Sequence, residues 1–199
     1  MQRCTVEVTS TALTDCLLRS RDPEVTAMAA AEEIKARWAF SEARSERWGN
    51  RFAKVLAHKL VALANSGAPF SAVQPDEWSS LITALETVRP KDFIDKVDRF
   101  GAPEYKLSDW GVSDLLNSTT LPTFGAVKYF QFLALPPNGP NDPRALSHGI
   151  PEHLHRAPSE CPIAIYVEGA HRLIDGYLRS ILWLRNPTAP LSVWTPKRD

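Results

Sequence analysis

Between Pro162 and Arg172 the chain reads Pro-Ile-Ala-Ile-Tyr-Val-Glu-Gly-Ala-His-Arg, and no other stretch restricts the fold so narrowly. The β-branched run over 162–167 suits a strand, and the glycine after it permits a sharp change of direction. Leu173, Ile174, Tyr177, Leu178, Ile181 and Leu182 then fall at helical spacing and predict an apolar helix face over 171–185. Asn186-Pro187-Thr188-Ala189-Pro190 turns the chain into a second strand over 191–194. The expectation is a β-α-β unit whose helix packs on a sheet.

A helix that opens at His171 would create an anion site. Its first N–H groups have no intrahelical partners, and the peptide dipoles add positive potential at that end. The backbone of Gly169 and Ala170 would form the cradle, and Arg172 has the planar fork that grips phosphate. Glu168, just before the cradle, fits two roles: holding a metal ion or activating water, or merely bonding the turn backbone. His171 and Asp175 lie four apart, so on a helix the carboxylate would orient the imidazole, unless it pairs with Arg172 or Arg179 instead.

The first half has a different rhythm. Asp22-Pro23-Glu24 resembles a helix start, Ile34 and Trp38 lie one turn apart, and Phe52, Val55, Leu56, Leu60 and Leu63 form a stripe that stops near Gly67. Gly49-Asn50 interrupts that span. A further helix is predicted after Gln74-Pro75-Asp76-Glu77, with Trp78, Leu81, Ile82 and Leu85 inward, and a short one over 92–99. Beyond Gly101, residues 127–133 suit a strand and the proline-rich 136–143 a loop. The expected fold class is α+β: a helical region over 1–100 packed on a mixed-sheet core over 101–199.

The 23 basic residues balance 23 acidic ones, so attraction to nucleic acid or membrane must be local rather than global. With 44% hydrophobic and 23% charged residues, the composition indicates neither global disorder nor a fibrous repeat. Cys4, Cys16 and Cys161 lack metal spacing, and no secretory leader is recognisable, which points to a reducing cytoplasm. No apolar run approaches the ~20 residues that span a bilayer, so no membrane insertion is expected.

Strand, then Glu-Gly-Ala-His-Arg-Leu, then helix, then a proline-bounded strand resembles the ParB/sulfiredoxin superfamily over about the last 40 residues. That resemblance implies a ParB/sulfiredoxin-like core in which Arg172 contacts nucleotide phosphates, His171 assists, and Gly169 and Ala170 line the cradle. Its cofactors would be ATP or a related nucleotide with Mg²⁺ or Mn²⁺. Where sulfiredoxins carry their reactive cysteine this chain has Ala170, so thiol chemistry has no nucleophile there. The absence of a domain after the motif argues against a centromere-binding clamp. The chain looks most like the superfamily's plasmid fertility-inhibition type, which implies ATPase and DNase activity and a conjugation or secretion-system partner.

Other residues support softer readings. Arg37, Arg44, Arg47, Arg51, Lys54 and His58 follow steps of seven, three, four, three and four, which on one helix would present a basic face to DNA. Glu33, Glu42 and Glu46 offer a salt-bridged surface as the alternative. His148, His153 and His155 near Asp142 and Glu152 suit a solvated loop better than a metal site, and Lys128 and Arg156 are further candidates to reach a nucleotide. Ser113, Ser118, Thr119 and Thr120 are phosphate donors or members of a capped turn around Leu115. The six tryptophans are scattered and read as core anchors.

Three functions remain open from the sequence. The first is a nucleotide-dependent hydrolase using Glu168, His171 and Arg172, which inhibits DNA transfer. The second is a non-catalytic nucleotide- or DNA-binding interaction protein, and the third a small-metabolite kinase.

Overall fold

The computed structural model describes residues 27–45, 48–89, 91–118, 160–185 and 187–198. A short strand β1 (Met28–Ala30) leads directly into α1 (Ala31–Ala43), followed by α2 (Gly49–Phe52), α3 (His58–Asn65), α4 (Trp78–Val88) and α5 (Lys91–Phe100). Strand β2 (Glu104–Trp110) and helix α6 (Val112–Ser118) follow, and then β3 (Ile163–Val167), β4 (Ala170–Asp175), α7 (Tyr177–Arg185) and β5 (Leu191–Pro196). The α+β class is as expected.

The five strands form one mixed sheet in the order β1-β2-β5-β3-β4. β1 and β2, β2 and β5, and β3 and β4 pair antiparallel, while β3 and β5 run parallel. Strand alternation gives the sheet two faces. On one, Tyr105, Ile163 and Trp194 join a large core with Ile34, Trp38, Phe40, Leu81 and Leu85 from the helices. On the other, Trp110, Ala164, Leu173 and Val193 pack with Leu115 of α6, and Trp183 and Leu184 of α7 lie against them. The larger core holds residues from both sides of residue 100, where the expected boundary between the helical region and the sheet core lies.

The helices expected between Glu77 and Pro90 and over 92–99 are found as α4 and α5. Gln74 supports the start of the first: its backbone N–H donates to Glu77 Oε2 at 2.9 Å, in a capping box that includes Pro75. The helical span expected after Asp22 gives way to β1 over 28–30, and α1 ends at Ala43 before α2 begins at Gly49, next to the interruption expected at Gly49-Asn50. A side chain at Gly49 would meet the Ala43 carbonyl oxygen at 2.9 Å, so the close approach of α2 to the end of α1 requires glycine there.

The largest departure lies at 168–176. Instead of a helix opening at His171, the chain forms a β-hairpin, with Val167 paired to Ala170, Tyr166 to His171, and Ile165 to Arg172. The expected β-α-β unit is therefore β-β-α-β. The physical reason is the two-residue turn: Glu168 has φ 52° and Gly169 φ 83°, both left-handed, the geometry that reverses a twisted strand pair. The helix starts only after Gly176, also left-handed at φ 88°. The expectations over 127–133 and 136–143, the helix start at Asp22, and Arg47, Glu46, Thr119, Thr120, Lys128, Asp142, His148, Glu152, His153, His155, Arg156, Cys4 and Cys16 lie outside the described residues.

Candidate functional site

The corner at 168–172 is not a phosphate cradle of the expected kind, because its N–H groups belong to a hairpin rather than to a free helix end. Glu168 and Gly169 sit exposed at its tip. Arg172 donates from Nη1 to the Asn117 carbonyl oxygen at 2.9 Å, in the last turn of α6. A guanidinium there meets an unpaired helix carbonyl and the negative end of the dipole, which is a tethering role. A Mg²⁺ or Mn²⁺ ion at Glu168 would find one carboxylate on an exposed turn. Among the described residues no three His, Cys, Asp or Glu side chains group as ligands, so Glu168 would hold such an ion only together with the oxygens of a bound phosphate.

His171 and Asp175 are also separated in role. Asp175 accepts from Arg179 Nη2 at 2.6 Å and from the Ser41 hydroxyl at 3.3 Å, so the ion-pair alternative holds, with Arg179 as partner. The His171 ring lies 5.2 Å from that of its cross-strand partner Tyr166, edge to face, and 5.9 Å from Trp110. Burial holds its pKa below the ordinary value; Arg198 and Lys106 add to that, and Asp114 opposes it.

The basic series from Arg37 to His58 does not share one helix face. Arg37 turns inward: Nε and Nη2 donate to Glu33 Oε1 at 2.9 and 2.7 Å, and Nη1 to buried Glu160 at 3.1 Å. Its guanidinium also lies 4.5 Å from the Phe70 ring centre. Arg44 stacks over Phe40 at 4.2 Å, and burial lowers its pKa. Arg51 and Lys54 are exposed, Arg51 lying 5.0 Å over Trp48, but they belong to α2 and the turn after it. The end of α1 at Ala43, the separate start of α2 at Gly49 and the salt-bridged interior explain the difference: a spacing that aligns on one helix cannot align across two.

A different group of cations does converge. The end of α5, the turn at 101–103, the end of β5 and Tyr166 of β3 enclose an open cleft of 430 Å³. Arg99, Lys197 and Arg198 line it, and none of the described residues lining it is acidic. The Arg198 guanidinium lies over Tyr166, 3.6 Å from the ring centre, while that of Arg99 lies 5.1 Å from the Phe100 ring centre. Lys197 Nζ donates to Glu104 at 2.9 Å in an exposed pair, and the Lys197 N–H donates to the Glu104 carbonyl at 2.8 Å. The backbone bond extends the β2–β5 ladder by a step and carries the basic pair to the cleft. Sequence reasoning missed this place, although the pair Lys197-Arg198 beyond a strand and its proline was its visible signal.

Among the described residues no helix is long and apolar enough to cross a membrane. Comparison of the chain with models of known protein families, with curated proteins and with solved structures returns no match.

Proposed function

We propose that the protein binds a phosphate-bearing ligand in the Arg99–Lys197–Arg198 cleft and acts by binding rather than by hydrolysis. The observation that carries this reading is the convergence of three cations from two distant parts of the chain around an open cleft whose described lining contains no carboxylate. Guanidinium and ammonium groups gathered at a concave surface focus positive potential and favour an oxyanion. The exposed Lys197–Glu104 pair is weak enough to exchange its carboxylate for a ligand oxygen.

The ATPase and DNase reading needs phosphates and a metal ion at Glu168, His171 and Arg172. The hairpin turn and the Arg172–Asn117 tether give it less support than the cleft gives to binding. Titration with inorganic tripolyphosphate and with ATP, read by intrinsic fluorescence, tests the proposal. Binding that weakens steeply with added salt and drops about tenfold or more in Arg198→Ala or Arg99→Ala is expected. Phosphate release from ATP, or nicking of DNA, with Mg²⁺ or Mn²⁺ that disappears in Glu168→Gln would overturn it in favour of the hydrolase.

A further inference from the structure

Resting on that reading, we infer that the cleft recognises a nucleoside phosphate with an unpaired base, the base stacking on Tyr166 and the phosphate held by Arg198, Lys197 and Arg99. A bare oxyanion needs only donors. This cleft also has aromatic surface, from half-buried Tyr166 and Phe100.

Tyr166 is held as a platform should be. Its strand is paired on one side to β4 and its ring is braced edge-on by His171, its direct cross-strand neighbour, at an interplanar angle of 80°. Over the ring lies the exposed Arg198, its guanidinium carbon 3.6 Å from the ring centre. An exposed cation–aromatic stack is weaker than a base–aromatic stack, so a base can displace the guanidinium from the ring. The displaced Arg198 then remains within the cleft beside Lys197, where its fork suits the phosphate attached to the same nucleoside. At 430 Å³ the cleft suits one nucleotide unit, from a free nucleotide or from a single strand. Paired bases of a duplex are already stacked and cannot reach the ring.

The test compares four probes on the full chain: inorganic tripolyphosphate, ATP, a short single-stranded oligonucleotide and its duplex. ATP or the single strand is expected to bind about tenfold more tightly than the probe of similar charge without an accessible base. Tyr166→Ala is expected to collapse that preference, and Tyr166→Phe to retain it. ATP bound as tightly as the strand assigns the ligand to free nucleotides, and a strand bound more tightly than ATP assigns it to single-stranded nucleic acid.

Equal affinity for tripolyphosphate and ATP, and for strand and duplex, would overturn the base contact while leaving the phosphate site intact. Failure of every probe, tripolyphosphate included, would instead remove the phosphate site itself. Circular dichroism of both Tyr166 variants separates a lost contact from a lost fold. Should Tyr166→Ala not fold, Tyr166→Leu, which keeps the bulk without the π face, gives the same discrimination.

Discussion

Glu168 occupies a backbone conformation that few side chains accept, with φ 52° at the first position of a two-residue hairpin turn. Asparagine accepts that region more readily, and Asn-Gly is the preferred pair for such turns. Glu168→Asn is therefore expected to stabilise the protein by about 0.5 kcal/mol, raising the melting temperature while leaving ligand binding unchanged. A fall in affinity would return the carboxylate to the functional site. His171, across the hairpin, makes a pH prediction whose direction follows from its depressed pKa. The unfolded chain takes up the proton more readily than the folded one. The stabilisation is thus complete above the ordinary value of 6.5 and is lost as pH falls through it toward the folded value. Thermal melts between about pH 7.5 and 5.5 are expected to show this decline, and His171→Phe to flatten it. Glu42 and Arg89 form a nearly buried ion pair, with Trp38 Nε1 donating to the same carboxylate at 3.2 Å. Arg89→Met leaves that carboxylate desolvated without its cation and is expected to cost about 3 kcal/mol in chemical denaturation. None of these roles was legible as such, because a sequence shows which residues carry charge but not which ones face each other.

Where an element's signals were local, the sequence carried them. The capping sequence before Trp78 and the spacing of Leu81 and Leu85 define α4, and the helical span is interrupted ahead of Gly49, where α2 begins. The hairpin escaped because Leu173, Ile174 and Tyr177 satisfy helical spacing while 170–175 also pairs as a strand, and the short apolar run does not distinguish them. The deciding information is the left-handed pair at 168–169 together with β3 as a partner, one a backbone angle and the other a tertiary contact. β2 was missed although Tyr105 and Leu107 alternate with Lys106 and Ser108, a strand period in plain view. Gly176 separates β4 from α7 and gives a sharp element-scale prediction. A side chain there would be left-handed and would meet Pro162 atoms at 2.7 to 2.9 Å, one of them the Cα. Gly176→Ala is expected to destabilise by about 3 kcal/mol, combining the backbone penalty with overpacking. Gly169→Ala, with nothing within 4 Å of its added methyl, is expected to cost only about 1 kcal/mol. Equal costs in denaturant titrations would mean that the Pro162 contact yields, and that β4 and α7 are less firmly joined than the geometry implies.

At the scale of the whole molecule the sheet is the shared wall between two cores, and the ligand cleft opens where the ends of β3, β5 and α5 meet. Trp194 ties these parts together: it is buried in the larger core on the sheet's helical side, 5.3 Å from the Arg37 guanidinium that clasps Glu33 and Glu160. The residues that follow it in the same strand carry Lys197 and Arg198 into the cleft. A core that crosses residue 100 gives the helices no separate interior in which to stay folded when the sheet is lost. Trp194→Ala is accordingly expected to cost about 4 kcal/mol, the scale for emptying a buried indole site. Far-UV circular dichroism, which reports mainly the helices, and tryptophan fluorescence, which reports both sides, should follow one coincident transition in the parent and in the variant. Helical signal that outlasts the fluorescence change would show that α1 to α5 fold on their own. The cleft would then join two separately stable bodies, and its affinity would depend on how they dock as well as on its three cations.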